Sequence, residues 1–103
     1  MNKDVKERWI TALRDGTYKQ GRLALRIGER FCCLGVLCDI YDPTLWTDAE
    51  LSRSRYSYKS LDSMPPLDVM IWAGLTNAQA GQLANANDNG SSFDEIAEII
   101  EEM

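Results

Sequence analysis

Phe31-Cys32-Cys33-Leu34-Gly35-Val36-Leu37-Cys38-Asp39-Ile40-Tyr41 is the longest stretch of the chain with so few polar side chains, and its reading decides the fold. From Cys33 to Tyr41 it scans as a short helix. Leu34, Leu37, Cys38 and Tyr41 fall on one stripe at i, i+3, i+4 and i+7, with Cys33, Val36 and Ile40 on the flank beside it. Apolar groups on nearly every side predict a helix packed from several directions. At about three turns it is too short to cross a membrane, which takes ~20 apolar residues. Gly35 and Asp39 share the remaining stripe. Glycine there lets another backbone approach, and the aspartate needs a polar partner or water. Asp42-Pro43 ends the helix.

Just upstream, Leu23, Leu25 and Ile27 alternate with Arg22, Ala24 and Arg26, a period-2 pattern with one apolar and one basic face. This predicts one arm of a hairpin. A two-residue loop would set Arg30 opposite Ile27 on the buried face. A three-residue loop, Gly28-Glu29-Arg30, instead pairs Ile27 with Phe31 and Leu25 with Cys33, and puts Cys32 on the arginine face. The hydrophobic pattern favours the second register.

Further out, Val5, Trp9 and Leu13 with Ile10 mark an amphipathic helix from about Lys3 to Arg14, stopped at Gly16. Thr17 to Gly21 reads as a loop. Beyond the central helix, Thr47-Asp48-Ala49-Glu50 has the form of a capping box opening a short helix. Arg53 to Lys59 reads as a third strand or an ordered loop. Pro65-Pro66 starts a helix through Trp72, with Val69, Met70 and Ala73 facing one way and Gly74 as the stop. Thr76 to Gln79 caps a helix around Leu83 to about Ala86, and Asn87-Asp88-Asn89-Gly90 reads as a turn. Ser92 to Glu95 caps the last helix, whose Phe93, Ile96, Ala97 and Ile100 form its inner stripe. The expected fold is a single α+β domain over residues 1–103, a short antiparallel ribbon packed against four or five helices.

At 103 residues there is room for one core, burying roughly 65% of the surface the unfolded chain exposes. With 45% hydrophobic and 26% charged residues, wholesale disorder is not expected. Met1 to Arg8 is charged and no apolar stretch follows, so no signal peptide is expected. The net charge of −5 is unevenly placed. All eleven Lys and Arg lie between Lys3 and Lys59, where eight acids leave a net +3; from Leu61 onward eight acids and no base make −8.

Trp9…Leu13-Arg14-Asp15-Gly16-Thr17-Tyr18-Lys19-Gln20-Gly21, the Phe31 to Asp39 run, Trp72-Ala73-Gly74-Leu75, and Asn87-Asp88…Phe93-Asp94-Glu95-Ile96-Ala97 together resemble a family of small proteins of tailed bacteriophages and prophages. The resemblance spans most of the chain except Thr44 to Ser63. It implies a phage accessory protein acting in bacterial cytoplasm, of a size that often counters host defences by binding something. It carries over no catalytic residue.

The residues themselves argue against catalysis. A zinc site wants four ligands, and the chain has no His and only Cys32, Cys33 and Cys38. No metal and no cofactor are expected. Cys32, on the expected arginine face, is the one candidate nucleophile, against the plain reading of three buried cytosolic thiols. Asp39 alone makes no acid–base pair, and a buried carboxylate beside an arginine is a common structural solution. Phosphate loops, nucleophile elbows and dinucleotide fingerprints are missing from the sequence. A cysteine-dependent enzyme is the third-ranked reading.

Two binding readings rank above it. Tyr18, Lys19, Gln20, Arg22 and Arg26, with Trp46, make a candidate site for a phosphorylated small signal molecule: Arg and Lys recognise phosphate, and Trp46, Tyr56 and Tyr58 offer aromatic faces to a base. The plain alternative is a solvated face paired to the acidic C-terminal helix. General nucleic-acid binding is disfavoured for an acidic chain. The rival site is Asp94, Glu98, Glu101 and Glu102, an acidic face suited to masking a basic surface of a host protein. A chain this small has little depth for a pocket, so capture implies a homo-oligomer, most simply a dimer.

Overall fold

The computed structural model describes residues 1–48, 55–58, 61 and 63–103. Its elements run α1 (Lys3–Arg14), β1 (Lys19–Gln20), β2 (Arg26–Ile27), β3 (Arg30–Phe31), α2 (Cys33–Tyr41), β4 (Trp46–Asp48), β5 (Arg55–Tyr58), α3 (Leu67–Ala73), α4 (Asn77–Asp88) and α5 (Phe93–Glu101). The class is α+β, as the patterning predicts.

Helix α2 is the centre. Cys33, Leu34, Val36, Leu37 and Cys38 are all fully buried, and full burial of a leucine contributes roughly 1.5–3 kcal/mol. Helices α1 and α4 pack against α2, and α5 lies across α1 and α4. Trp9, on the inner stripe of α1, donates its indole N–H to the Cys33 carbonyl at 2.9 Å, so a large ring sits in the core with its polar atom satisfied. Gly35 answers a specific need: a β-carbon built there would lie 1.9 Å from the Leu25 carbonyl oxygen. The backbone leading into β2 crosses α2 at this point.

Several helix starts carry side-chain caps. The Asn2 side chain caps α1 by accepting from Val5 N–H at 3.1 Å. Of the three expected capping boxes two form, Thr76 with Gln79 on α4 and Ser92 with Glu95 on α5. The backbone N–H and the hydroxyl of Ser92 hold the Glu95 carboxyl below its usual range. The buried residues of α5 are the expected Phe93, Ile96, Ala97 and Ile100.

The strands form a mixed sheet of order β1-β3-β2-β5-β4 among the described residues. Only β1 and β3 run parallel. The expected loop at Thr17 to Gly21 thus contains an edge strand. The hairpin register is a correction: β2 and β3 pair Arg26 with Phe31 and Ile27 with Arg30 around a two-residue turn. Gly28, at φ 58°, takes the first turn position, where such hairpins need a residue tolerant of positive φ. Ile27 and Arg30 share the exposed face, and Arg26 and Phe31 the inner one.

Two further expectations about this arm fail with the register. Leu23 and Ile27 are exposed, and Leu25 alone of the three is buried. The chain bends at Leu23 (φ 68°), whose N–H donates to the Asp88 carboxylate at 2.9 Å, so no alternation runs through it. Cys32 lies on no arginine face. It is buried at the N-cap of α2, its sulfur accepting from Gly35 N–H at 3.4 Å.

One capping signal and one turn signal misplace element ends. Thr47 and Asp48, read as the opening of a helix, lie in β4, which pairs with β5 from Trp46↔Tyr58 to Asp48↔Tyr56. Residues Ala49 and Glu50 of that signal lie outside the described residues. Of the stretch Arg53 to Lys59, read as a third strand or an ordered loop, Arg55–Tyr58 forms β5, and Arg53, Ser54 and Lys59 lie outside the described residues. Helix α4 runs past Ala86 to Asp88, taking Asn87 into the core instead of a turn. Asn87 stays helical because its amide finds three partners there.

Candidate functional site

Arg26 is the focus of the sheet's inner face. Its stem crosses the hairpin, its Nε donates to the Gly28 carbonyl at 2.8 Å, and its guanidinium lies 4.0 Å from the Tyr56 ring centre, 4.9 Å from Phe31 and 5.5 Å from Trp46. Each such contact contributes about 0.5–2 kcal/mol depending on desolvation. Only 17% of the side chain remains exposed. The aromatic residues also meet one another edge to face: Tyr18 with Phe31, and Trp46 with Phe31, Tyr56 and Tyr58.

Asp39 closes the cluster from α2. Its two carboxylate oxygens accept from the Tyr18 hydroxyl at 2.6 Å and from the Trp46 indole N–H at 2.9 Å. The polar partner that Asp39 needs is thus a phenol and an indole, not an arginine. Burial, and then the bond to Asp39, push the Tyr18 hydroxyl above its ordinary pKa, so it remains a proton donor to Asp39 at neutral pH.

Thr17, Tyr18, Lys19, Arg26, Glu29, Phe31 and Asp39 line an open groove of about 430 Å³. Of the expected phosphate site, Tyr18, Lys19 and Arg26 therefore come together, and Trp46 stands behind Asp39. Gln20 and Arg22 do not join them. Gln20 turns to α4 and donates to Asn87 at 3.0 Å and to the Ser91 carbonyl at 2.7 Å. Arg22 reaches Gly90 in the α4–α5 turn. The expected base-stacking faces are also engaged: Tyr58 is buried with its hydroxyl on the Asp42 carbonyl at 2.8 Å, and Arg26 sits over Tyr56 and Trp46. Reading the chain alone missed Glu29, Phe31 and Asn87. The signal for Phe31 and Glu29 was the two-residue turn, which puts both beside Arg26.

At the other end, Asp94, Glu98, Glu101 and Glu102 are exposed on α5. Glu98, Glu101 and Glu102 line a groove of about 560 Å³ with Arg14, Ser91, Glu95 and Ile99. Pairing between the basic ribbon and this helix, the plain expectation, is replaced by pairing with α1. Arg14 binds Glu101, which raises the arginine's pKa further. Lys6 donates to the Glu101 and Met103 carbonyls at 3.0 and 2.8 Å, where a cation suits the helix C-terminus.

The thiols are buried, which opposes formation of the nucleophilic thiolate. Burial raises Cys32 to about 11, Cys33 well above the ordinary value, and Cys38 likewise. At pH 8 a disulfide-exchange reagent is expected to label none of the three over minutes in the native protein and all three in denaturant. Rapid native labelling of any one would favour the cysteine-enzyme reading. Among the described residues no group of three or more His, Cys, Asp or Glu is placed to hold a metal ion. Nor is any helix there long and apolar enough to cross a membrane.

A family profile described as a domain of unknown function, DUF8296, matches residues 1–103. The chain belongs to the DUF8296 family. No curated protein and no solved structure matches it. Within the DUF8296 domain, the Arg26 cluster is where the half-buried polar and aromatic groups converge on open space, and the α5 face is the chief concentration of exposed carboxylates.

Proposed function

We propose that the DUF8296 domain is a non-enzymatic binding protein of a bacteriophage that acts in the host cytoplasm against a host defence, by capturing a small phosphorylated signal molecule. The observation that carries this reading is the stacking of Arg26 inside three aromatic rings beside exposed Lys19. The rings hold the guanidinium in place, so it loses little further freedom when an anion binds. Glu29 lies 3.7 Å from the same guanidinium and is 84% exposed. So loose an ion pair contributes little and yields readily to a phosphate. The groove is open on one side, and a homodimer that closes it belongs to this reading.

Lys19→Glu tests it. Lys19 is exposed on a two-residue edge strand, so its reversal is expected to change stability by less than about 0.5 kcal/mol. Losing one charge-assisted contact worth roughly 1.5–3 kcal/mol should weaken binding of nucleoside monophosphates on the order of tenfold to a hundredfold. Calorimetric titration of parent and variant checks this. An absence of heat with every phosphorylated compound would end the capture reading.

The acidic α5 face supports a second reading, docking onto a basic surface of a host defence protein. Its supporting observation is that Arg14 and Lys6 are engaged with only the last turn of α5, at Glu101 and the terminal carbonyls, leaving Asp94 and Glu98 exposed further up the helix. Binding of this kind would slow as salt rises, through its association rate.

A further inference from the structure

We infer that the Lys19–Arg26 groove selects a phosphate carried on a hydroxylated sugar, the phosphate meeting Lys19 and Arg26 and the sugar hydroxyls donating to Asp39. The inference rests on the capture reading above and narrows it to a ligand class.

The groove's charged groups are of two kinds. Lys19 and Arg26 can only donate, and they suit a phosphate. Asp39 and Glu29 line the same space and can only accept. Two cations facing two carboxylates are a poor receptor for a bare or condensed phosphate, which both acids repel. They are a good one for a molecule that joins an anion to hydrogen-bond donors. A carboxylate offers about four acceptor positions. Tyr18 and Trp46 fill two of those on Asp39 and fix its orientation. The remaining positions suit a pair of neighbouring hydroxyls, one per oxygen.

Among the described residues nothing comparable awaits a base: Tyr18, which also lines the groove, packs edge-on against Phe31 with its hydroxyl on Asp39. Phe31, Trp46 and Tyr56 already pack on Arg26 and on one another, and Tyr58 is buried. At about 430 Å³ the groove falls in the range that takes small ligands. The sugar phosphate, whether free or part of a nucleotide, is the recognised unit.

The test is calorimetric titration of the parent and of Asp39→Asn with inorganic phosphate, ribose 5-phosphate and adenosine monophosphate at one ionic strength. The parent is expected to bind ribose 5-phosphate at least tenfold more tightly than inorganic phosphate, and adenosine monophosphate within threefold of ribose 5-phosphate. Asp39→Asn should weaken both sugar phosphates about tenfold, yet leave inorganic phosphate unchanged or tighter, because a repelling charge is gone. A purely structural role for Asp39 would weaken all three ligands together, and that result overturns the inference. Ribose 5-phosphate binding no better than inorganic phosphate overturns it while capture stands. Adenosine monophosphate binding more than tenfold tighter than ribose 5-phosphate does so in favour of base recognition. No heat from any of the three removes the capture reading and this one with it. Should Asp39→Asn melt far below the parent, the comparison of ligands on the parent decides alone.

Discussion

Gly35→Ala is expected to destabilise the domain by about 2 kcal/mol or more, lowering its urea midpoint well below the parent's. The added β-carbon would sit 1.9 Å from the Leu25 carbonyl oxygen and 2.8 Å from its carbon. Both are backbone atoms, so no side chain can swing aside. Moving the Leu25 backbone away would break the bond from Cys32 N–H to Leu25, 3.1 Å long, and displace Arg26 next to it. Overpacking in a core costs typically 1–3 kcal/mol, and this clash lies at the upper end or beyond it. Alanine's better helix propensity returns only about 1 kcal/mol. For a domain of this size, stable by roughly 5–15 kcal/mol, the net loss is a large fraction of the total. Gly81→Ala on α4 is the control, since a β-carbon there meets nothing within 4 Å. It should stabilise by about 0.5–1 kcal/mol. Urea midpoints of the three proteins measure both signs. A Gly35→Ala midpoint at or above the parent's would mean that the β2 approach does not cross α2 there.

The helices were legible because their signals are local. Thr76 and Ser92 each satisfy donors within their own first turn, and the stripes of α1, α2 and α5 need only the helical period. The hairpin register was not legible, because it turns on Arg26. A period-2 reading treats arginine as a surface residue, yet its stem and flat guanidinium are at home among aromatic rings. Those rings come from β3, β4 and β5, and β4 and β5 follow Arg26 in the chain by twenty residues and more. The candidate site divides the same way. Tyr18, Lys19 and Arg26 share the groove because β1 and β2 flank β3. Gln20, one residue beyond Lys19, points across the strand to the opposite side. Asp39 stood out early as the polar residue on an apolar helix, but its partners, a phenol and an indole from two different segments, follow from the sheet alone.

Asn87→Leu is expected to cost about 3–5 kcal/mol, the second large effect. Asn87 is fully buried. Its carbonyl oxygen accepts from Cys33 N–H at 3.2 Å and from Gln20 at 3.0 Å, and its amide donates to the Gly21 carbonyl at 2.8 Å. Leucine fills a similar volume, so the loss comes from polar groups left without partners, roughly 1–3 kcal/mol each. Gln20 keeps its bond to Ser91, whereas Cys33 N–H and the Gly21 carbonyl lose theirs to Asn87. Asn87→Asp separates the two halves of the amide. It keeps an acceptor for Cys33 but, when ionised, cannot donate to Gly21. Burial would raise the pKa of such a carboxyl above its unfolded value near ~4. The folded state then takes up a proton more readily than the unfolded one, so this variant should regain stability as pH falls towards ~4. Thermal melts of parent and both variants across pH 4 to 8 follow this. Because Gln20 and Gly21 adjoin Lys19, Asn87→Leu should also loosen the groove wall and weaken ligand binding without touching the ligand. An Asn87→Leu protein that melts within about two degrees of the parent would mean that β1 is held to α4 by something other than this amide.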